Sequence, residues 1–255
     1  MSESLQINRE GRLLRLTINR PERRNALNAD LCGALAAAFE QAEGDPTIGV
    51  VLLNGNGKSF CAGMDLHEVL SPAAGPINEF HESIFTAGIR MTKPIVAAVH
   101  GAALAGGTGL VANCHIVVAS NDATFGLTEI RIGLWPFVIF RSVAAAVGER
   151  RAMELAMTGR IFGALEARDC GLVHHVVAAD DLLTCAQQIA EGLSSASPTA
   201  MAAGMAFVRD ARGLPWDQNG ELARERRGGV FRSADFEEGI KAFQEKRPPK
   251  WPSLT

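Results

Sequence analysis

Apolar and polar positions alternate along this chain in a way that predicts strands and helices in turn. Leu14, Leu16 and Ile18 alternate with Arg15, Thr17 and Asn19, the period of a half-buried strand, and Arg20-Pro21 ends it. Residues 30–43 place Leu31, Leu35 and Ala38/Phe39 at helical spacing behind Asn28, a residue type that caps helix starts. Residues 48–54 (IGVVLLN) are an apolar run of the kind buried on both faces of a parallel sheet. An irregular loop follows from Gly55 to Asp65, and SPAAGP at 71–76 is expected to be mobile. A helix is predicted over 77–91 and a buried strand over Ile95–Val99, and residues 116–120, 123–126 and 172–177 also read as strands. Strands interleaved with helices argue for an α/β fold. From about residue 180 the pattern is helical only, in stretches at 181–193, 198–212 and 233–246. The last opens on Ser233 and carries acids early and Lys241 and Lys246 late, which suits the helix dipole. The expected organisation is an α/β core over 1–195 and a helical region over 196–255, docked on the core or on another subunit.

Composition narrows the function classes. The span Pro94–Asn121 contains no Asp, Glu, Lys or Arg, enough length for a membrane helix. However, Gly101, Gly106, Gly107 and Gly109 break it up, and His100, Asn113 and His115 interrupt it, so buried strand, glycine turn and core helix is the reading adopted. Lys+Arg number 25 and Asp+Glu 28, a formal charge of −3, whereas a general nucleic-acid binder carries a basic excess. Cys32, Cys61, Cys114, Cys170 and Cys185 form no C-x-x-C pair, and the N-terminus has no apolar signal core. A cytoplasmic protein with no membrane span is expected.

Two glycine-rich segments and one acid could carry chemistry. The first segment runs from Gly57 to Leu66, where Asp65 could cap a short helix and leave the Met64 N–H free to donate. In the second, Ala105–Leu110, Gly106 and Gly107 would open a core helix. Two main-chain N–H groups converging on one point can stabilise charge on a carbonyl oxygen; the alternative is that both segments are simple turns. Glu129 lies in an apolar stretch before Trp135-Pro136-Phe137. Burial would raise its pKa toward neutrality and suit it to proton transfer, against the alternative of a surface acid beside Arg131. Gly107-x-Gly109-x-x-Ala112 matches a dinucleotide fingerprint, but seven residues separate it from the strand it should follow directly. His100, His115, His174 and His175 show no metal-ligand spacing, so no metal is expected. Arg224-Glu225-Arg226-Arg227 reads as a solvated helix face.

On these residues the chain resembles the enoyl-CoA hydratase/isomerase, or crotonase, family over nearly its whole length. Asn19-Arg20-Pro21 with Asn25-Ala26-Leu27 is similar to the family's N-R-P-x-x-x-N-A-L segment. Phe60-Cys61-Ala62-Gly63-Met64-Asp65-Leu66 is like F-x-A-G-x-D-L, and Lys93–Gly101, Ala105-Gly106-Gly107 and Phe125-Gly126 follow in the family's order. The resemblance implies a spiral of ββα turns with a C-terminal helical trimerisation region, hence a trimer or dimer of trimers. It implies an acyl-CoA substrate, with coenzyme A part of that substrate and no separate cofactor. The amides of Met64 and Gly106 would hold the thioester oxygen. Arg24 and Ala26 would lie near the nucleotide, and Ala62, Asp65 and Leu66 around adenine and pantetheine. Phe243 and Lys246 would reach coenzyme A, often from the neighbouring subunit.

Two departures bear on the reaction. Family hydratases commonly use two glutamates; Glu129 stands at one of those positions, but Gly109 stands at the other. Trp135-Pro136-Phe137 replaces a glycine-rich turn and should reshape the acyl pocket, so Gly109 and Trp135 join the expected substrate contacts. A single glutamate is compatible with double-bond isomerisation and with hydration, including the methylglutaconyl-CoA type. Decarboxylation or C–C cleavage on the same scaffold, and a catalytically silent CoA- or RNA-binding homologue, are the alternatives.

Overall fold

The computed structural model describes residues 3–69 and 77–254, with side chains described over 3–68 and 80–254, so segment 71–76 lies outside the described residues. The main sheet has six strands side by side: β1 (Leu5–Glu10), β2 (Leu13–Ile18), β3 (Val50–Gly55), β4 (Ile95–Val99), β6 (Ile116–Ser120) and β9 (His175–Val177). β1 pairs antiparallel with β2, and every later neighbour is parallel. A small second sheet joins β5 (Ala102–Leu104), β7 (Thr124–Gly126) and β8 (Phe162–Gly163).

Alternate side chains of the parallel strands enter two different cores. Val50, Leu52, Val96, Ala98 and Val118 pack on Leu182, Ala186 and Ala190 of α8 (Leu182–Ser194). Val51, Leu53, Ile95, Ala97, Val99 and Val117 face a larger cluster that includes Leu31, Leu35 and Phe39 of α1 (Ala29–Gly44). Burial on both faces is why the 48–54 run reads as continuously apolar. The larger core continues into α3 (Ile77–Arg90), α4 (Gly106–Ala112), α5 (Phe137–Val147), α6 (Glu149–Thr158) and α7 (Ala164–Asp169); a one-turn helix α2 (Leu66–Val69) closes the Gly55–Asp65 loop. Asn28 caps α1 by accepting from the Leu31 N–H at 3.0 Å, and Ser233 caps α11 (Ala234–Gln244) through the Phe236 N–H.

The charge-free span 94–121 folds into β4, β5, α4 and β6, and among the described residues no helix is long and apolar enough to cross a membrane. The predicted 172–177 strand is shorter, because Leu172 and Val173 turn into the core before pairing begins at His175. β1 escapes the hydrophobic pattern because it is an edge strand whose Gln6, Arg9 and Glu10 face outward. After residue 196 come α9 (Pro198–Asp210), α10 (Trp216–Phe231) and α11; α9 and α10 bury no residue within the single chain. Arg224, Glu225 and Arg227 are exposed on α10, as read from the sequence.

Candidate active site

The loop Gly55–Asp65 is irregular but firmly held. Buried Asn25 donates to the carbonyls of Asn56 (2.8 Å) and Ser59 (2.7 Å), and its Oδ1 accepts from the Arg20 N–H. Phe60 and Cys61 donate to the carbonyls of His100 and Ala102, so the loop runs beside β5. Leu27 donates to Gly63 O at 2.7 Å, and Asp65 donates back to Leu27 O at 2.9 Å. The amide between these two, on Met64, has no hydrogen-bond partner among the described residues.

The second glycine segment lies against the first. Ala105, at φ 50°, turns the chain from β5 into α4 in a conformation that L residues rarely adopt. Gly106 is the first residue of α4; its N–H has no intrahelical acceptor and Ala105 offers no side-chain cap. A Cβ on Gly107 would stand 2.1 Å from the Cys61 carbonyl, so only glycine allows the two backbones to touch there. A Cβ on Gly63 (φ +95°) would stand 3.4 Å from the Gly106 nitrogen, so the start of α4 lies close to the residue before Met64.

Met64 and Gly106 both line a cavity of about 690 Å³ with mostly apolar walls, among them Leu27, Phe85, Ile132, Leu134, Trp135 and Val138. Glu129 lines the same cavity from a short 3-10 turn (Glu129–Ile132) just after β7. It is 8% exposed, Oε2 has no partner among the described residues, and Arg131 forms no ion pair with it. Burial pushes the carboxyl up to about 7, opposed only by its own backbone N–H. A carboxyl so placed can both take and give a proton near neutral pH.

A second cleft of about 300 Å³ is lined by Arg24, Ala26, Ala62, Asp65 and Leu66, with Met64 between it and the first. Ala62, Met64 and Leu66 line both, so the two clefts form one elongated depression with exposed Arg23 and Arg24 at one end and Glu129 at the other. The Asp65 carboxylate is already engaged: Arg20 donates to it at 2.9 Å and the His67 N–H at 3.2 Å. Burial opposes its ionisation, but the bond and charge of Arg20 hold its pKa below the usual carboxylate range. Asp65 thus caps α2, as expected from the sequence.

Three expected substrate contacts do not join the others. Gly109 lines neither cleft; it is buried in α4, and a Cβ there would stand 2.3 Å from Ile139 Cγ2. Ile139 of α5 therefore stands where a side chain at position 109 would begin. Phe243 and Lys246 sit on and just after α11 and line neither cleft within this chain; Phe243 is 85% exposed. Sequence reasoning missed His81, which lines the cavity from α3 one turn before Phe85. The histidines it did weigh serve the fold: His115 and His174 accept from the backbone N–H groups of Ile95 and Val117, and His100 contacts the Gly57 carbonyl. Among the described residues no three His, Cys, Asp or Glu cluster as metal ligands.

Met64, Gly106 and a buried carboxyl around one cavity, on a spiral of parallel strands and helices, point to a class of proteins that comparison identifies. The model of the enoyl-CoA hydratase/isomerase family matches residues 8–253, and the chain belongs to that family. It is 34% identical to a putative enoyl-CoA hydratase of Thermus thermophilus, over 95% of this chain and 98% of that protein. It is 36% identical to the 2,3-dehydroadipyl-CoA hydratase of Escherichia coli, over 98% of each. The crystal structure of an enoyl-CoA hydratase from Mycobacterium smegmatis superimposes with a TM-score of 0.91 at 31% identity, covering 98% of this chain and 99% of that one.

Proposed function

We propose that this protein moves a proton at C2 of an enoyl-CoA thioester, with Glu129 as the only proton carrier and the Met64 and Gly106 amides holding the thioester oxygen. The observation that supports this reading is that Met64 and Gly106, whose amides have no hydrogen-bond partner among the described residues, line one apolar cavity with the unpaired buried carboxyl of Glu129. In a double-bond shift, the Glu129 carboxylate takes a proton from C2 of a 3-enoyl thioester. The electron pair moves onto the thioester oxygen, where the two amides stabilise it. Glu129, now a carboxylic acid, returns the proton at C4; the double bond ends between C2 and C3 and the carbonyl re-forms.

Hydration is the second reading, favoured by the names of the relatives. There Glu129 would take a proton from water as its oxygen bonds to C3, then deliver that proton to C2. Ile139, standing where a second acid would lie, weighs toward the double-bond shift. The second cleft, with Arg24 at its mouth, offers positive charge to the phosphates of coenzyme A. Phe243 and Lys246 would contact coenzyme A only across an interface between copies of the chain, so the working form proposed is a homo-oligomer. Five free thiols suit a reducing cytoplasm.

Incubation with a panel of 2-enoyl- and 3-enoyl-CoA thioesters, with product masses read out, tests the reading. The expected result is conversion of a 3-enoyl thioester to an isobaric 2-enoyl product. Gain of one water mass by a 2-enoyl substrate would instead establish hydration, and no conversion of any thioester would overturn both.

A further inference from the structure

His81 is a polar group of the cavity, with a buried ring, that neither the proposed proton transfer nor the fold uses. It is 6% exposed, lines the same cavity as Glu129, and its Nε2 has no hydrogen-bond partner among the described residues. One helical turn separates it from Phe85, so both rings leave the same face of α3, with centroids 5.4 Å apart. Phe85 in turn reaches the amide cradle: its Cζ lies 3.3 Å from where a Cβ on Gly106 would stand. His81 is therefore one phenyl ring removed from the thioester position.

A buried nitrogen without a partner carries an uncompensated desolvation cost, which a ligand that completes the bond relieves. Burial also lowers the His81 pKa and favours the neutral ring. A neutral imidazole offers one N–H and one lone pair, which matches a hydroxyl or a keto oxygen and gives a carboxylate no charge partner.

We propose that His81 is a specificity residue that hydrogen-bonds a neutral oxygen, hydroxyl or keto, carried on the acyl chain beyond the reacting carbons. This inference rests on the acyl-CoA reading of the cavity. The substrate class it names is an oxygenated enoyl-CoA rather than a plain hydrocarbon chain, because the cavity that His81 lines is otherwise walled largely by apolar side chains such as Phe85, Leu134, Val138 and Ile139. A site built to bond an oxygen discriminates strongly against the analogue that lacks it, since its own buried group is then left unpaired.

The test compares kcat/KM for enoyl-CoA thioesters of equal chain length ending in methyl, hydroxyl or carboxylate, on the wild type, His81→Phe and His81→Asn. The expected result is a preference of roughly tenfold or more for the hydroxyl over the methyl chain in the wild type. His81→Phe should erase that preference and His81→Asn should keep part of it. Equal rates on the wild type, or a preference for the carboxylate, would overturn the proposal. So would a loss in His81→Phe that is the same for all three chains, because that marks a role in the reaction instead. If the variants do not fold, the wild-type ratio decides alone. If no thioester turns over, the acyl-CoA reaction is what fails, and the relative affinities of saturated hydroxyl- and methyl-ended acyl-CoA still decide whether His81 reads the oxygen.

Discussion

At the scale of single residues, burial is what suits Glu129 to the proposed proton transfer. An exposed glutamate is ionised throughout the neutral range; this one is brought to about 7 and is available in both forms there. Loss of hydration is its leading cause, and neighbouring charge plays no part, so the effect depends on the walls of the cavity. The two amides are useful for a related reason. Each is left over where the local pairing ends, Met64 between the two bonds of Leu27 and Gly106 at the start of α4. The glycine segments at Met64 and Gly106 and the lone acid Glu129 leave a local mark in the sequence, but the residues alone leave open simple turns and a surface acid, and the resemblance to the family is what singles them out. His81 leaves no such mark: within INEFHESIFTAGIR it looks like any polar residue of an amphipathic helix. Only the packing of α3 turns it inward beside Phe85.

At the scale of elements, the contact between α4 and α5 decides what the site lacks. Ile139 occupies the space beside Gly109, with Cγ2 only 2.3 Å from an added Cβ. Gly109→Glu alone should therefore lower the melting temperature, at a cost of roughly 1–3 kcal/mol or more for overpacking. Combined with Ile139→Gly, the loss should be smaller than the sum of the two single losses, because the neighbours couple. Thermal unfolding of the three variants checks this; a Gly109→Glu protein as stable as wild type would contradict the interlock. The strands of the parallel sheet and helices α1, α3, α8, α9 and α11 follow the periodicity of the sequence. Helices α5, α6 and α7 and the short strands β5 and β8 do not. The segments of α7, β5 and β8 are short, and α5 is apolar on most sides, with Phe137 and Val138 lining the cavity, so periodicity has little to register there. α6 buries Ala152, Leu155 and Ala156 on one face, small and apolar positions set among polar ones.

At the scale of the whole molecule, the α/β core closes on itself while no residue of α9 or α10 is fully buried within the chain. Leu214, Trp216, Phe231 and Phe243 are exposed in this region, an apolar surface that a second copy would cover. Sedimentation should show a homo-oligomer, and a stable monomer would contradict that. The proposed reach of Phe243 and Lys246 toward coenzyme A is the part of the candidate site least legible in one sequence, since it would depend on an interface between chains. The central claim, that one buried carboxyl moves the proton, meets its most direct test in kcat/KM on a turned-over enoyl-CoA, measured across pH in the wild type and in Glu129→Gln. A base that must be ionised gives a rate that rises with pH and levels off above about 7. In Glu129→Gln the rate should be roughly 10²–10⁴ lower and flat across that range, with thioester binding retained. A variant that turns over at the wild-type rate with the same pH profile would contradict the account.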